Sequence, residues 1–465
     1  MQEPERSLLA PIGYQAGDCG YCKGSNSSQR TPKSRGSYYI RTRRLTAEDY
    51  QALVDRGWRR SGSLLYKPDV LRACCPHYTI RLPAAFLEPS RDQRQAINRW
   101  NKFVLGEKYL AETARLYPKT KEEKKRQKEG FDLIPAVHEA ESSNLKPVDP
   151  DHKFEVTLEP DTYTDEKFEL FRDYQYNVHK EAPSDVTRQG FRRFLCGSPL
   201  TRKEYQCNGK PKRLGSYHQC YRLDGRLVAM GVLDLLPHCV SGVYFLYHQD
   251  FEKWSFGKLS ALREAALAIE GDYEYYYMGY YIHSCQKMQY KGDYRPQFVL
   301  DPMTNSWHSM DDMKPLLDQK NFVSLDLEIR SQKDPIDQVV IGTPSEAVEQ
   351  ITSIDEDKDV EDEFIGPDGK TWLFRQPAAA ASSGQSLFKL RVPGVMSEQE
   401  LSNGTNLDMI HVSLGQGREV PIGLLQSWHD DPDITRPDTL KGVIAEMAAC
   451  VGPEVAERMA VDFGS

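Results

Sequence analysis

The sequence predicts an α/β (α+β) fold built on a mixed sheet, and three observations lead there. Between residues 153 and 330 the patterned segments run β-α-β-β-β-α-β. Asp224-Gly225 sits between two apolar alternating runs, the dipeptide that closes a tight hairpin. The chain has 465 residues, 39% of them hydrophobic, enough to fill the cores of two or three domains. A mean hydropathy of −0.62, with no apolar run near the ~18 residues a membrane helix needs, argues against a transmembrane protein. The start, MQEPERSLLAPIGYQ, carries no long apolar stretch after its charges, so no secretory signal is expected. Ten cysteines are too sparse for a disulfide scaffold. The expected setting is a reducing one, the cytoplasm, with the nucleus as a second location.

Charge divides the chain. Residues 1–135 hold 26 Lys and Arg against 15 Asp and Glu, a balance of +11, within a formal net charge of −8, so residues 136–465 carry −19. A basic third beside an acidic remainder suggests a polyanion-binding part joined to a part with another task. Solvated surfaces and an acidic tail would give the same asymmetry. The expected organisation is an N-terminal Cys-rich, basic, metal-binding unit (1–118), a linker or mobile insertion (119–152), a catalytic α/β domain (153–330), an acidic disordered linker (331–386) and a small C-terminal appendage (387–465).

The elements follow from local patterns. In TAEDYQALVDRGW (46–58), Thr46 caps a helix with Asp49 three residues on. SRDQRQAINRWNKFVLG (90–106) repeats that logic from Ser90, with Gly106 as stop. KFEVTLEP (153–160) alternates as a strand, and DEKFELFRDYQYNVHK (165–180) has helical spacing. Residues 216–248 read as three strands joined at Asp224-Gly225 and broken at Pro237. GKLSALREAALAIEG (257–271) is a helix stopped by Gly271, YEYYYMGYYI (273–282) a strand, and helices are expected near 436–449 and 453–462. This order is that of a GNAT-like mixed-sheet acyltransferase core.

The strongest chemical signal is Cys19-Gly20-Tyr21-Cys22 together with Cys74-Cys75. Two thiolates separated by two residues fit one side of a metal ion, and a second close pair can complete a sulfur site. Adjacent cysteines are awkward on one ion, so His77 could replace either. Zinc is the default, and the same thiolates suit an iron–sulfur cluster. Around this site Arg41, Arg43, Arg44, Arg59, Arg60 and Arg81, with Arg56, Lys67 and Arg72, are interleaved with Tyr38, Tyr39, Trp58, Tyr66 and Tyr78. Cations for phosphates and rings for unstacked bases make an RNA surface; the plainer alternative puts the rings in the core and the arginines at its rim.

In the α/β domain, VLDLLP places Asp234 in an apolar strand, where a carboxylate is costly unless paired. It is a site candidate facing a cleft, or a cap on the turn before Pro237. SFGKLSA (255–261) lacks the Gln/Arg-x-x-Gly-x-Gly/Ala loop with which GNAT acetyltransferases hold coenzyme A, so coenzyme A is not expected. Seven tyrosines with His283, Cys285, Lys287 and Lys291 in 275–294 suggest a polar aromatic wall. Neither Cys196 nor Cys285 has a local histidine motif marking a nucleophile.

These segments resemble one family. CGYC (19–22), DRGWRRSGSLLYKP (55–68), CCPHYTIRL (74–82), FRRFLCGSPL (191–200), 215–245, LSALREAAL (259–267) and 275–300 are similar to eukaryotic, fungal-type arginyl-tRNA–protein transferases. Residues 331–370 and 387–465 have no such counterpart. The resemblance implies an aminoacyltransferase that moves arginine from arginyl-tRNA to the N-terminal α-amine of proteins beginning with Asp, Glu or oxidised Cys. That modification marks them for ubiquitin-dependent degradation, with the ubiquitin-ligase machinery as a further partner. It also implies a zinc or iron–sulfur site at Cys19, Cys22, Cys74 and Cys75.

The chemistry needs no covalent enzyme nucleophile, because an aminoacyl ester is already activated. An α-amine with pKa about 7.7–8.0 is partly neutral at physiological pH. The protein must align amine and ester, take a proton and stabilise an oxyanion. Asp234 is the expected carboxylate for the amine, with Tyr244, Tyr280, Tyr281 and His218 as donors or positioners. Arg263, Lys287 or Lys291 would read an acidic acceptor side chain. Two rival readings are a non-catalytic RNA-binding adaptor with a metal module and a coenzyme A-dependent GNAT acetyltransferase.

Overall fold

The computed structural model describes residues 5–22, 33–123, 125, 130–207, 209–333, 340–341, 363–365, 371–373, 384–415 and 417–463. The chain opens with β1 (Leu8–Gly17), β2 (Arg35–Arg44), α1 (Ala47–Val54), β3 (Arg59–Ser61), β4 (Leu64–Pro68) and β5 (Tyr78–Pro83). Thr46 caps α1 by accepting the Asp49 N–H, as the sequence pattern requires. Next comes α2 (Arg91–Leu116), opened by a full capping box of Ser90 and Gln93. Gly106 breaks α2 at φ 77° without ending it; a Cβ there would run into the Asp151 carboxylate, so the kink needs glycine.

The stretch read as a linker, 119–152, contains α3 (Leu133–His138), whose Leu133 is buried with Ala140 in the same core as α2. His138 ties this segment down through Glu141 and Glu270, and those hydrogen bonds push its pKa up to about 9. A histidine raised in the folded state stabilises fully below its ordinary 6.5 and loses that contribution as pH passes about 9. Stability should therefore fall between about pH 6.5 and 9, and a urea titration of His138→Ala should lose that part of the slope.

The α/β part runs β6 (Phe154–Pro160), α4 (Asp165–Tyr174), a π-turn (Gln175–His179), α5 (Arg188–Leu195), β7 (Lys203–Cys207), β8 (Lys210–Leu223), β9 (Arg226–Leu235), β10 (Cys239–Tyr247), α6 (Phe256–Glu270) and β11 (Tyr275–Tyr281). Asp224 (φ 51°) and Gly225 (φ 81°) form the β8–β9 turn, the double left-handed geometry that a two-residue hairpin demands. Then follow α7 (Gln286–Gln289), β12 (Phe298–Leu300), β13 (Trp307–Ser309), α8 (Met310–Leu317) and α9 (Leu325–Lys333). Short strands β14 (Val340–Ile341), β15 (Glu363–Ile365) and β16 (Thr371–Leu373) pair with one another. Apart from these strands and Ser331–Lys333 and Gly384–Ser386, the span 331–386 lies outside the described residues, and with it the expectation of disorder. The chain ends with α10 (Leu387–Leu390), α11 (Glu398–Gly404), β17 (His411–Ser413), β18 (Glu419–Pro421), α12 (Leu440–Val451), α13 (Pro453–Arg458) and β19 (Ala460–Val461).

Two mixed sheets result. The larger has the order β13-β12-β5-β11-β10-β9-β8-β6, with β7 on β8; the smaller runs β18-β17-β19-β1-β2-β4-β3. Neither follows the expected domain boundaries. Strand β5, from the N-terminal unit, sits inside the larger sheet between β11 and β12. The C-terminal segment is no separate appendage: β19 pairs in parallel with β1, and Trp58 donates its indole N–H to the Cys450 carbonyl. Backbone pairing across hundreds of residues follows exposed sheet edges, which local patterning does not encode. One face of the larger sheet is covered by α2, α3 and α6, the other by α4 and α5 at one end and the smaller sheet at the other. No helix among the described residues is long and apolar enough to cross a membrane.

Candidate functional site

Where β10 and β11 part, the larger sheet opens. The two are parallel neighbours over only three rungs, Cys239–Tyr275, Val240–Tyr276 and Ser241–Tyr277. Beyond them β10 follows β9 and β11 follows β5, and each departure carries a register shift, between Gly242 and Tyr244 and between Tyr277 and Tyr280. Gly279 takes φ 76° inside the second shift, with space for a Cβ but not the preferred backbone. Beneath the opening lies the buried carboxylate of Glu264 on α6, accepting from the Tyr276 hydroxyl at 2.6 Å. Burial pushes Glu264 up to about 7. Lys291 donates to the carbonyls of Met278 (2.8 Å) and Tyr280 (3.3 Å), and burial lowers it to about 8.

A four-cysteine cluster stands beside this opening. Cys19 and Cys22 come from the end of β1, Cys74 and Cys75 from the turn before β5, and their sulfurs all lie within 4.8 Å of one another. Cys22 and Cys74 Sγ are 3.4 Å apart. A tetrahedral ion with Zn–S of about 2.3 Å places its sulfurs roughly 3.8 Å apart, so the set fits one ion. The Tyr21 N–H points at Cys19 Sγ (3.3 Å), and the hydrogen bond between the adjacent Cys74 and Cys75 lowers the first thiol and raises the second. Both adjacent cysteines belong to the set. His77 does not: its ring lies between Tyr21 (5.2 Å) and Tyr280 (5.3 Å), and burial drops its pKa to about 4. Ile282, Cys285 and Met288, just past β11, close the cluster from the other side.

The N-terminal segment matches the family described as arginine-tRNA-protein transferase, N terminus, over residues 17–95, and the C-terminus description of the same family matches 166–301. Two segments of the chain thus match one family, the arginyl-tRNA–protein transferases. An Arabidopsis thaliana arginyl-tRNA–protein transferase 2 is 29% identical over 472 residues, covering 68% of this chain and 77% of that protein. The Saccharomyces cerevisiae arginyl-tRNA–protein transferase 1 is 32% identical over 321 residues, 62% of this chain and 59% of that one. A Pseudomonas putida aspartate/glutamate leucyltransferase is 29% identical over 250 residues, 53% and 77% of the two chains. Both matched family segments meet at the opening: the cysteines and β5 come from the first, β10, α6 and β11 from the second.

Several residues singled out from the sequence are placed elsewhere than expected. Asp234 faces no cleft. It is fully buried and forked by Arg60, Nε to Oδ2 at 2.7 Å and Nη2 to Oδ1 at 2.6 Å, with the Ser216 hydroxyl donating at 2.6 Å. Arg60 is therefore a buried counter-ion and not an exposed phosphate contact. Arg59 is likewise only 5% exposed. Arg81 stacks between Tyr275 and Trp307, 3.9 Å from each ring. Arg44 bridges Glu419 at 3.2 Å, while Arg41 and Arg43 are exposed on β2, Arg43 with Asp462 at 3.4 Å. The six arginines do not form one face, because alternate residues of a strand point to opposite sides.

His218 is fully buried with Nε2 at 2.9 Å from the Leu195 carbonyl, and burial lowers it to about 4. Tyr281 is buried, its hydroxyl 2.8 Å from His283 Nδ1. Arg263 is taken by Glu141 on the opposite face, so it cannot read a substrate at the opening. Lys287 is exposed on α7. Tyr244, Tyr280 and Lys291 do lie at the opening: Tyr280 donates to the Gly57 carbonyl (2.9 Å), and Tyr244 reaches His179 Nε2 (3.1 Å). Glu264 and the paired bulges escaped sequence reading. The trace was an acid among the buried alanines and leucines of α6.

Proposed function

We propose that this chain transfers arginine from arginyl-tRNA to the N-terminal α-amine of proteins beginning with Asp, Glu or oxidised Cys, marking them for ubiquitin-dependent degradation in the cytoplasm and nucleus. The observation that carries the reading is the meeting of both matched family segments at the one place where the larger sheet parts. In the reaction the amine nitrogen attacks the ester carbonyl and a C–N amide bond forms. The ester C–O bond to the tRNA ribose breaks, and the proton lost by the amine ends on the released hydroxyl. Val243, the extra residue of the β10 bulge, has no partner in the β9–β10 or β10–β11 register. Its peptide group is of the kind that can hold a developing oxyanion. Tyr280, Tyr244 and Lys291 flank that point and position the reactants.

The β-α-β order and the parted strands support a GNAT-type reading of 153–330. Cys19, Cys22, Cys74 and Cys75 would hold zinc as a structural ion that pins the end of β1 to the entry of β5, with an iron–sulfur cluster as the alternative. To test the function, labelled arginyl-tRNA is supplied with peptides beginning with Asp or Gly. Label on the Asp peptide alone is expected. Binding of tRNA without transfer, or acyl transfer from acetyl coenzyme A instead, would overturn the proposal.

A further inference from the structure

Two guanidinium groups of the smaller sheet have buried nitrogens with nothing to bond. Arg59 is 5% exposed; its Nη1 donates to the Trp58 carbonyl at 2.9 Å, while Nε and Nη2 are buried without a partner. Arg35 is half-buried and its Nε is likewise unpartnered. Among the described residues neither forms an ion pair with a carboxylate. Arg59 pairs with Tyr66 across the β3–β4 ladder and sits 5.3 Å from the Tyr280 ring centre, and Arg35 lies on β2, whose Tyr39 ring is 6.5 Å from that of Tyr66. Leaving such donors dry and unpaired is costly, so the arrangement calls for an anion.

We propose that Arg59, with Arg35 as a second cation on the same sheet, binds the acidic side chain of the acceptor's N-terminal residue. The inference rests on the transfer reaction proposed above. Tyr280, beneath Arg59, is only three residues along β11 from the last β10–β11 rung, which places the anion site beside the parted strands. A planar fork suits a carboxylate, and a sulfinate or sulfonate offers the same pair of oxygens. One site would then accept Asp, Glu and oxidised Cys and reject their neutral counterparts. A tRNA phosphodiester, bulky on both sides, is less suited to Arg59, which is 5% exposed and lies over the Tyr277 and Tyr280 rings.

The test measures equilibrium binding of labelled peptides beginning with Asp or Asn, and of arginyl-tRNA, to the full chain and to Arg59→Gln, Arg59→Lys and Arg35→Gln. Arg59→Gln should weaken the Asp peptide on the order of 10- to 100-fold, as for a lost charge-assisted hydrogen bond. The Asn peptide and arginyl-tRNA should bind as before. Arg59→Lys should recover part of the loss, since it keeps the charge without the fork, and Arg35→Gln should show the same preference loss should the first variant not fold. An unchanged preference for Asp over Asn in folded variants would overturn the inference. So would a loss confined to arginyl-tRNA, which would assign the site to a phosphate. Arginine transfer by the wild type with no Arg59 effect would leave the proposed function standing and remove only this site. Asp-selective binding lost in Arg59→Gln, without any transfer by the wild type, would do the reverse.

Discussion

Changing Asp234 to Asn should destabilise the fold by about 3–5 kcal/mol, the range for removing one partner of a buried ion pair. Arg60 is 2% exposed at its side chain and Asp234 not at all, so the abandoned guanidinium has no water to turn to. Ser216 adds a further dependence, since its hydroxyl bonds Asp234 at 2.6 Å and lies 3.0 Å from Arg60 Nη2. Urea unfolding monitored by fluorescence measures the effect. The combined change Asp234→Leu with Arg60→Met should recover most of the loss, because an apolar pair of similar volume often matches a buried salt bridge. A chemical role would give another pattern: stability near wild type with turnover reduced roughly 10²–10⁴-fold, as for a positioned acid–base group. The pair joins β3 of the smaller sheet to β9 of the larger, so its energetic role is to fix one sheet against the other.

Cys74→Ser should remove the bound metal altogether and unfold the N-terminal strands. Structural zinc contributes about 10–16 kcal/mol of apparent binding energy in small domains, and that energy is also folding energy. Here the cluster ties the end of β1 to the turn entering β5, and β5 is an interior strand of the larger sheet. The loss should spread from the smaller sheet into the opening between β10 and β11. Metal analysis of the purified protein, thermal melting with and without chelator, and a visible absorption spectrum measure it; sulfur-to-iron charge-transfer bands would mark a cluster and a colourless protein zinc. Stoichiometric metal in the quadruple Cys19, Cys22, Cys74 and Cys75 serine variant would remove these residues as ligands. Retention of metal by Cys74→Ser together with loss in His77→Ala would restore the histidine as a ligand, against its placement between two tyrosine rings.

The site was legible in the sequence where the chemistry is local. A pair of thiols with two residues between them binds on one side of an ion whatever surrounds it, so Cys19 and Cys22 could be named from spacing, while spacing left Cys74 and Cys75 open against His77. Thr46, Ser90 and Asp224-Gly225 likewise act within four residues of themselves, and the helix starts and the hairpin lie where they put them. Asp234 shows the limit. An acid in an apolar strand announces a special environment, but whether it meets substrate or Arg60, 174 residues away, depends on which sheet packs against its face. For the same reason a basic count of +11 over 1–135 did not describe a surface. Arg59 and Arg60 are buried and Arg81 is stacked, so the arginines around the cysteines do not add up to one exposed patch.

By itself, then, the sequence determined the mixed α/β class and singled out the clustered cysteines and the family resemblance, because each rests on periodicity, spacing or local motif. Tertiary structure alone decided three further matters. Strand β5 was lent to the larger sheet, the C-terminal segment was placed beside β1, and β10 was parted from β11 above Glu264. All three are choices of partner for a strand edge or a buried face. The free energy of such a choice is set by surfaces far apart in the chain, and no short window of residues contains both halves of the contact.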